Sequence, residues 1–407
     1  MIVRAAYLLL ALVLAPALFA RVWPVTNTGE LRDAQEGSAA GDELAVRGTV
    51  AGDLALKAGQ TLRGDQTAVL RGRVTGTGDV TLRELKIEGD VRVTDATSVT
   101  VDRAQLTGAV ELVTVKNLLI DRSALRGKTS LVAASGDHTV DVRGSTFTGN
   151  PQALLVTARG DAKLTLTVAD SQFNGVASNA IHLVGEEHAT ATFTLRKNRM
   201  TKSGSGIVIA VSGDANVTGR VEANTMTDST ATPIAVNAHG GSVTATILDN
   251  NLRGCVNCSG FLLATARRAR GSIVVTGNTV ERADGNAVRI IAGDQSTLAV
   301  RLTSNTFQKP AGEGKQGILA TIGTTSTSTA SLCLDLGGVA KLANTIQWSA
   351  PSMLWSRFPG ATLTLAGYTG DRADVAAIGT WVAAQNKNAP MTVKLAADLV
   401  AANCELP

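Results

Sequence analysis

The sequence predicts an all-β chain wound as a parallel β-helix, a solenoid closed by a small C-terminal cap that contains a short helix. Three observations carry this expectation. A hydrophobic residue, two variable residues, Asn or Ser, one variable residue and a second hydrophobic residue recur as VADSQF, LRKNRM, VEANTM, ILDNNL, VTGNTV and LTSNTF, ending at Phe173, Met200, Met226, Leu252, Val280 and Phe307, with spacings of 27, 26, 26, 28 and 27 residues. A second, independent marker opens short apolar strands at Leu154, Ile181, Ile207, Ile234, Phe261, Val288 and Ile318, spaced by 27, 26, 27, 27, 27 and 30 residues. Periods in this range mark solenoids or propellers. Finally, segments such as ATFTL, GSVTATI and TLAVRL alternate polar with apolar residues, the two-residue period of a strand with one buried face. Charged residues make up only 18% of the chain, too few for the solvated faces of a large helical protein.

About 27 residues hold three short strands and three turns, which is one coil. Propeller blades are longer and leucine-rich repeats need a helical return, so both fit poorly. Upstream the coils shorten: VTLRELKI, VTVDRAQL, LLIDRSAL and VDVRGSTF place apolar residues at Ile87, Leu106, Leu125 and Phe147, at spacings of 19, 19 and 22. The longer coils carry insertions such as NGVASN, TDSTAT and RGCVNCSG, which should project from one edge. The recurring Asn198, Asn224, Asn250, Asn278 and Asn305 are expected to be structural, adopting positive φ at a corner and stacking as an amide ladder. The residues two positions on should stack inside.

The ends read differently. Arg4 is followed by sixteen uncharged residues, Ala5 to Ala20, and then Arg21. That stretch is short of the roughly 20 residues of a membrane span and resembles a signal peptide over residues 1–20, either cleaved or retained. A secreted, periplasmic or cell-surface location follows. Residues 21–44 read as a polar lead or tether, 45–345 as the β-helix and 346–407 as the cap. Trp348, Trp355, Phe358, Tyr368 and Trp381 all fall in that last part, as a plug over the final coil or a sugar platform; Asp374 to Asn388 reads as a short helix with Asp374 as its cap. Without residues 1–20 the chain has 37 basic and 34 acidic residues, a balance that gives nucleic-acid binding no support. No further segment has the length of a transmembrane span.

Four cysteines in an exported chain point to two disulfides, with Cys255–Cys258 and Cys333–Cys404 preferred among three connectivities. GCVNCSG has no second Cys/His pair nearby, and neither a metal nor a cofactor is expected.

The chain resembles bacterial right-handed parallel β-helix proteins of the pectin-lyase-like superfamily, in particular an uncharacterised extracellular group. LKAGQTLRG (Leu56 to Gly64) resembles that group's entry into the first coil, GNTV, SNTF and ANTM its coil corners, and ATLTLAGYTG with the following VAAIGTWVAAQN its terminal segment. The resemblance covers about Ala45 to Asn388 and implies fold far more than activity.

Lyases and hydrolases on this fold need clustered carboxylates with a basic residue, or paired Asp. The outward positions beside the second marker run Leu155, His182, Val208, Ala235, Leu262, Arg289 and Leu319, and those of the third strand Thr165, Thr194, Arg220, Thr246, Thr276 and Arg301; neither column contains paired acids. His138, His182, His188 and His239 do not recur at coil spacing, and Asp161, Asp214 and Asp294 sit in Gly-Asp turns, as corner residues or adventitious calcium ligands. Arg267, Arg268 and Arg270 form the one basic cluster, a solvated loop or a contact for phosphate or sulfate. The apolar column Leu155, Val208, Ala235, Leu262 and Leu319 should be covered, by the segment Ala376 to Ala384 or by a partner, a second copy included. The functional expectation is therefore an exported, non-enzymatic structural or binding module that meets a glycan or a protein, or itself, through its lateral face. The alternative is a carbohydrate-active enzyme of the lyase or hydrolase type.

Overall fold

The computed structural model describes residues 20–65, 67–308, 315–337, 342–347, 353–387 and 393–395. They wind as a right-handed parallel β-helix. Three stacks of parallel strands run its length. Sheet 1 begins with Leu54–Leu56 and continues through Asn179–Gly185, Ser205–Val211, Ile234–Ala238, Phe261–Thr265, Val288–Ala292 and Ile318–Ile322 to Met353–Arg357 and Val393–Leu395. Sheet 2 begins with Val22–Val25 and ends with Thr362–Leu365; sheet 3, of two- to five-residue strands, runs from Thr49–Ala51 to Thr345–Ile346. Each coil passes from sheet 1 through a turn edge to sheet 2, then round a tight corner to sheet 3, and back through a loop edge. Two coils omit the turn edge: Thr129–Arg143 and Leu154–Ala169 run continuously through sheets 1 and 2.

The interior is filled by like residues in register. Ile181, Ile207, Ile234, Phe261, Val288 and Ile318 pair coil to coil, and every one is fully buried. In sheet 3 the interior column is Phe147, Phe173, Met200, Met226, Leu252, Val280, Phe307 and Ile346, with the Phe147 and Phe173 rings stacked 4.7 Å apart. The 19-residue coils close only because Gly72, Gly89, Gly108 and Gly127 stack: a Cβ on Gly108 would lie 2.3 Å from the Gly89 carbonyl oxygen.

The corner between sheets 2 and 3 holds a continuous polar ladder. Asn198 donates its backbone N–H to Asn224 Oδ1, and Asn224, Asn250, Asn278, Asn305 and Asn344 each do the same to the next, ending on Asn386. Upstream, Ser123, Ser145 and Ser171 continue it with hydroxyls. The asparagines do not adopt positive φ as expected. The residue before each one does, at Lys197, Ala223, Asp249, Gly277 and Ser304, turning the chain so that the next side chain points inward. Asn344 and Asn386 escaped the sequence reading because the coil lengths change there.

The ends also depart from expectation. Residues 21–44 are no loose tether: Val22–Val25 pairs with Glu43–Val46, and between them helix α1 (Thr28–Gly37) buries Leu31 and Ala34 against the first coil. Asn27 caps α1 by accepting from the Glu30 N–H, while the Glu30 carboxylate accepts from the Thr26 N–H, a reciprocal box. At the other end the coils continue past residue 346, since Met353–Arg357 pairs with Ile318–Ile322 and Trp355 lies inside the barrel. Helix α2 (Val375–Gln385), capped by Asp374 as expected, packs Ile378 and Val382 into the core, and its C-cap is Asn386 of the ladder. Tyr368 and Trp381 meet edge to face beside it. The helix therefore closes the end of the solenoid and does not lie along the outer column of sheet 1. Trp348 and residues 1–19 lie outside the described residues.

Cys255 and Cys258 form a disulfide. Cys333 is also disulfide-bonded, and its expected partner, Cys404, lies outside the described residues. Cys333 faces outward from sheet 2 beside Ala299, yet both are 7% exposed, and Asp335 two residues on is fully buried, so this stretch of the outer face is covered. Alkylation of the native protein without reductant, followed by mass measurement, is expected to leave Cys333 and Cys404 unlabelled; quantitative labelling of both would refute the tie between them.

Candidate functional site

A groove of about 780 Å³ opens on the turn edge between sheets 1 and 2. Its turns are built alike, with Glu187, Gly213, Arg267 and Asp294 each at positive φ, so the loop tips stack from coil to coil. One rung breaks the row. Gly240 and Gly241, both at positive φ, present no side chains, and a Cβ on Gly241 would lie 2.1 Å from the Ala215 carbonyl oxygen. This gap separates the rung of Asp214 from the rungs of Arg267, Arg268 and Arg270 and forms the floor of the groove. Thr325, Thr327 and Ser328 line its far end.

The polar groups of the groove divide into held and open ones. Asp294 accepts from the Arg267 backbone N–H at 2.8 Å and from the Thr324 hydroxyl at 3.0 Å, so its carboxylate braces two turns. Arg268 Nε donates to Gln295 Oε1 at 3.2 Å. Among the described residues no carboxylate forms an ion pair with Arg267, Arg268 or Arg270, and all three are exposed. Asp214 and His188 are 3.8 Å apart at the opposite end, both open to solvent, and His239 lies between. The arrangement offers an extended anionic ligand three exposed cations and the hydroxyls of Ser242, Thr325, Thr327 and Ser328, with Asp294 already engaged and Asp214 at the opposite end.

The other charged cluster is structural. Asp102 is ion-paired with Arg83, Arg103 and Arg122, Asp121 with Arg122 and Arg143, and Glu84 with Arg103. The hydrogen bond from Arg103, aided by the surrounding guanidinium charges, holds the Asp102 carboxyl below its ordinary range. A general acid needs the opposite shift. The recurring Asp-Arg in VDRAQL and LLIDRSAL was the visible signal of this ion-pair ladder. His138 is buried at a bulge between the Val115 and Ser135 carbonyls, away from the groove.

Sheet 1 does align the predicted outer column. Leu155, His182, Val208, Ala235, Leu262, Arg289 and Leu319 pair in that order, and Leu354 extends it. In sheet 2 the predicted column needs correction: Thr194, Arg220, Thr246 and Arg301 share a register with Asp335, whereas Thr165 and Thr276 sit in other columns, because they lie at other distances from the corner residue; Thr167 and Val274 take those places in the column. Sequence reasoning found Arg267, Arg268 and Arg270 as one basic cluster, and His239, Asp214 and Asp294 singly. It missed that HGG, SGD, ARR and AGD occupy equivalent turns, and it missed the Thr325–Ser328 wall.

No family model and no curated protein matches this chain. Among solved structures it is similar to a family 28 exopolygalacturonase of Yersinia enterocolitica, at 10% identity over 74% of this chain and 77% of that one, with a TM-score of 0.31. It is also similar to the PL6 family alginate lyase AlyGC, at 9% identity over 85% and 99% of the two chains, with a TM-score of 0.29. The likeness is one of fold.

Proposed function

We propose that the protein is an exported, non-catalytic binding module whose turn-edge groove holds an acidic glycan. The observation that supports this most is the open row of Arg267, Arg268 and Arg270 beside the Gly240–Gly241 gap, in a groove that also carries the hydroxyls of Ser242, Thr325, Thr327 and Ser328, the Gln295 amide, His239, and the carboxylates of Asp214 and Asp294, the last of them already engaged by two turns. Guanidinium groups meet carboxylates and sulfates with paired, planar hydrogen bonds, and hydroxyl and amide groups suit sugar hydroxyls. The short uncharged N-terminal stretch and the disulfides support an extracellular or surface setting. Among the described residues, no helix is long and apolar enough to cross a membrane.

Binding of acidic and neutral oligosaccharides of equal length, measured by calorimetry, tests the reading. Wild type is expected to bind only the acidic ligand, more weakly as salt rises. Arg268→Glu should lower that affinity at least ~10-fold, about 1.4 kcal/mol. Equal binding of neutral ligand, or an unaffected Arg268→Glu, would exclude the groove.

The second reading is cleavage of the same class of polymer. Asp214 and His239 bring titratable groups to the groove that carries the arginines, and His188 stands beside Asp214. Incubation with acidic polysaccharides would then release unsaturated ends for a lyase, or new reducing ends for a hydrolase, and Asp214→Asn would suppress the release.

A further inference from the structure

The outer face of sheet 1 carries one largely apolar column, with Leu155, Val208, Ala235 and Leu262; in the adjacent column Thr157 and Asn237 alternate with Val184, Ala210, Ala264 and Ile291. The strand faces of a solvated sheet ordinarily carry polar residues at these positions. Within the first column His182 is the sole titratable group before Arg289, and it is held neutral: burial lowers its pKa, and its Nδ1 faces the amide nitrogens of Gln152 at 3.1 Å and Asn179 at 3.3 Å, both donors. From Leu155 to Leu262 the column covers five rungs, roughly 19 Å at about 4.8 Å per rung.

The apolar run ends at a cationic pocket. Directly after Leu262 in register comes Arg289, which is exposed and, among the described residues, makes no ion pair. Leu262 and Arg289 both line a separate cavity of about 400 Å³ on the loop edge, with Lys315, Asn257, Asn286 and Thr232 around it and no carboxylate among the described residues of its wall. The Asn286 Oδ1 is taken by the Gln316 N–H, which leaves that residue's amide as a donor. An apolar track thus leads into a pocket that carries Arg289 and side-chain donors, away from the turn-edge groove.

We propose that this face binds a single-chain anionic amphiphile, a free fatty acid in chemical class, with its alkyl chain along Leu155 to Leu262 and its carboxylate at Arg289. Each methylene removed from water contributes, and the charge complement fixes the direction in which the chain lies. The neutral His182 keeps the track free of charge near pH 7.

Titration of the full-length protein with dodecanoate, 1-dodecanol and hexanoate tests the proposal, with far-UV circular dichroism and melting curves to show that each variant is folded. Dodecanoate is expected to bind stoichiometrically, and dodecanol and hexanoate at least ~10-fold more weakly, for want of the charge and of the chain respectively. Arg289→Glu should lower dodecanoate affinity at least ~10-fold without changing that of dodecanol, and Leu262→Lys should weaken both. Because both side chains point outward, the fold should survive. Three results would overturn the proposal: no saturable dodecanoate binding, dodecanoate binding indifferent to Arg289→Glu, or sedimentation showing a wild-type dimer that Leu262→Lys dissociates. Binding confined to phosphatidylglycerol vesicles, with none to dodecanoate, would reassign the face to a membrane surface and equally overturn it.

Discussion

Asn250→Leu is expected to destabilise the protein by about 4 kcal/mol, although the replacement is of similar size and more apolar. Asn250 is buried at the corner between sheets 2 and 3. Its Oδ1 accepts from both the backbone N–H and the side-chain amide of Asn224, each at 2.9 Å, while its own amide donates to the Val221 carbonyl and to Asn278 Oδ1, also at 2.9 Å. Leucine would leave the Asn224 N–H and the Val221 carbonyl short of partners in a dry interior, at about 1–3 kcal/mol each. Asn251→Ser, one residue on and facing solvent, should change stability by less than about 0.5 kcal/mol. Urea-unfolding midpoints of the two variants against wild type check this. A loss for Asn250→Leu no larger than that for Asn251→Ser would mean that the ladder is dispensable.

Phe173→Ala is expected to cost about 4 kcal/mol, by a different mechanism. Phe173 is fully buried in the interior column of sheet 3, its ring stacked on Phe147 within 4° of parallel and followed in register by Met200. Alanine removes the transfer energy of the ring and leaves a cavity that neighbouring strands, locked by coil-to-coil hydrogen bonds, can close only in part. It also ends an aromatic contact worth about 0.5–1.5 kcal/mol beyond its area. Phe173→Leu, which fills most of the space, should cost about 1 kcal/mol. Thermal melts order the three proteins wild type, Phe173→Leu, Phe173→Ala; equal melting of the leucine and alanine variants would contradict the cavity argument.

Both positions were legible in the sequence because a solenoid repeats the same environment. Each turn of the chain asks for an apolar residue, an inward Asn or Ser and another apolar residue, so the demand shows as a period at Phe173, Met200, Met226, Leu252, Val280 and Phe307. The positive φ was assigned to the wrong residue of the corner. Asn is permitted there by local sterics, and only the direction in which its side chain must point shows that the preceding residue turns the chain.

The ends were less legible, since each cap occurs once and has no period. Residues 21–44 read as polar lead, but Leu31 and Ala34 of α1 close the first coil, and Asn386 completes a ladder that begins far upstream. The groove lies at the same limit. Asp214, His239 and Arg268 are scattered in the sequence, and whether they share a surface depends on how many residues each intervening loop adds. What the sequence by itself determined was the β-helix, its interior columns and the outer apolar column, because near-constant spacing brings like residues into register whatever the details of the turns. Only the tertiary structure decided where that register opens: the Gly240–Gly241 rung makes a gap because the rungs beside it carry Asp214 on one side and Arg267 and Arg268 on the other, and a gap exists only relative to neighbours that the fold has already placed.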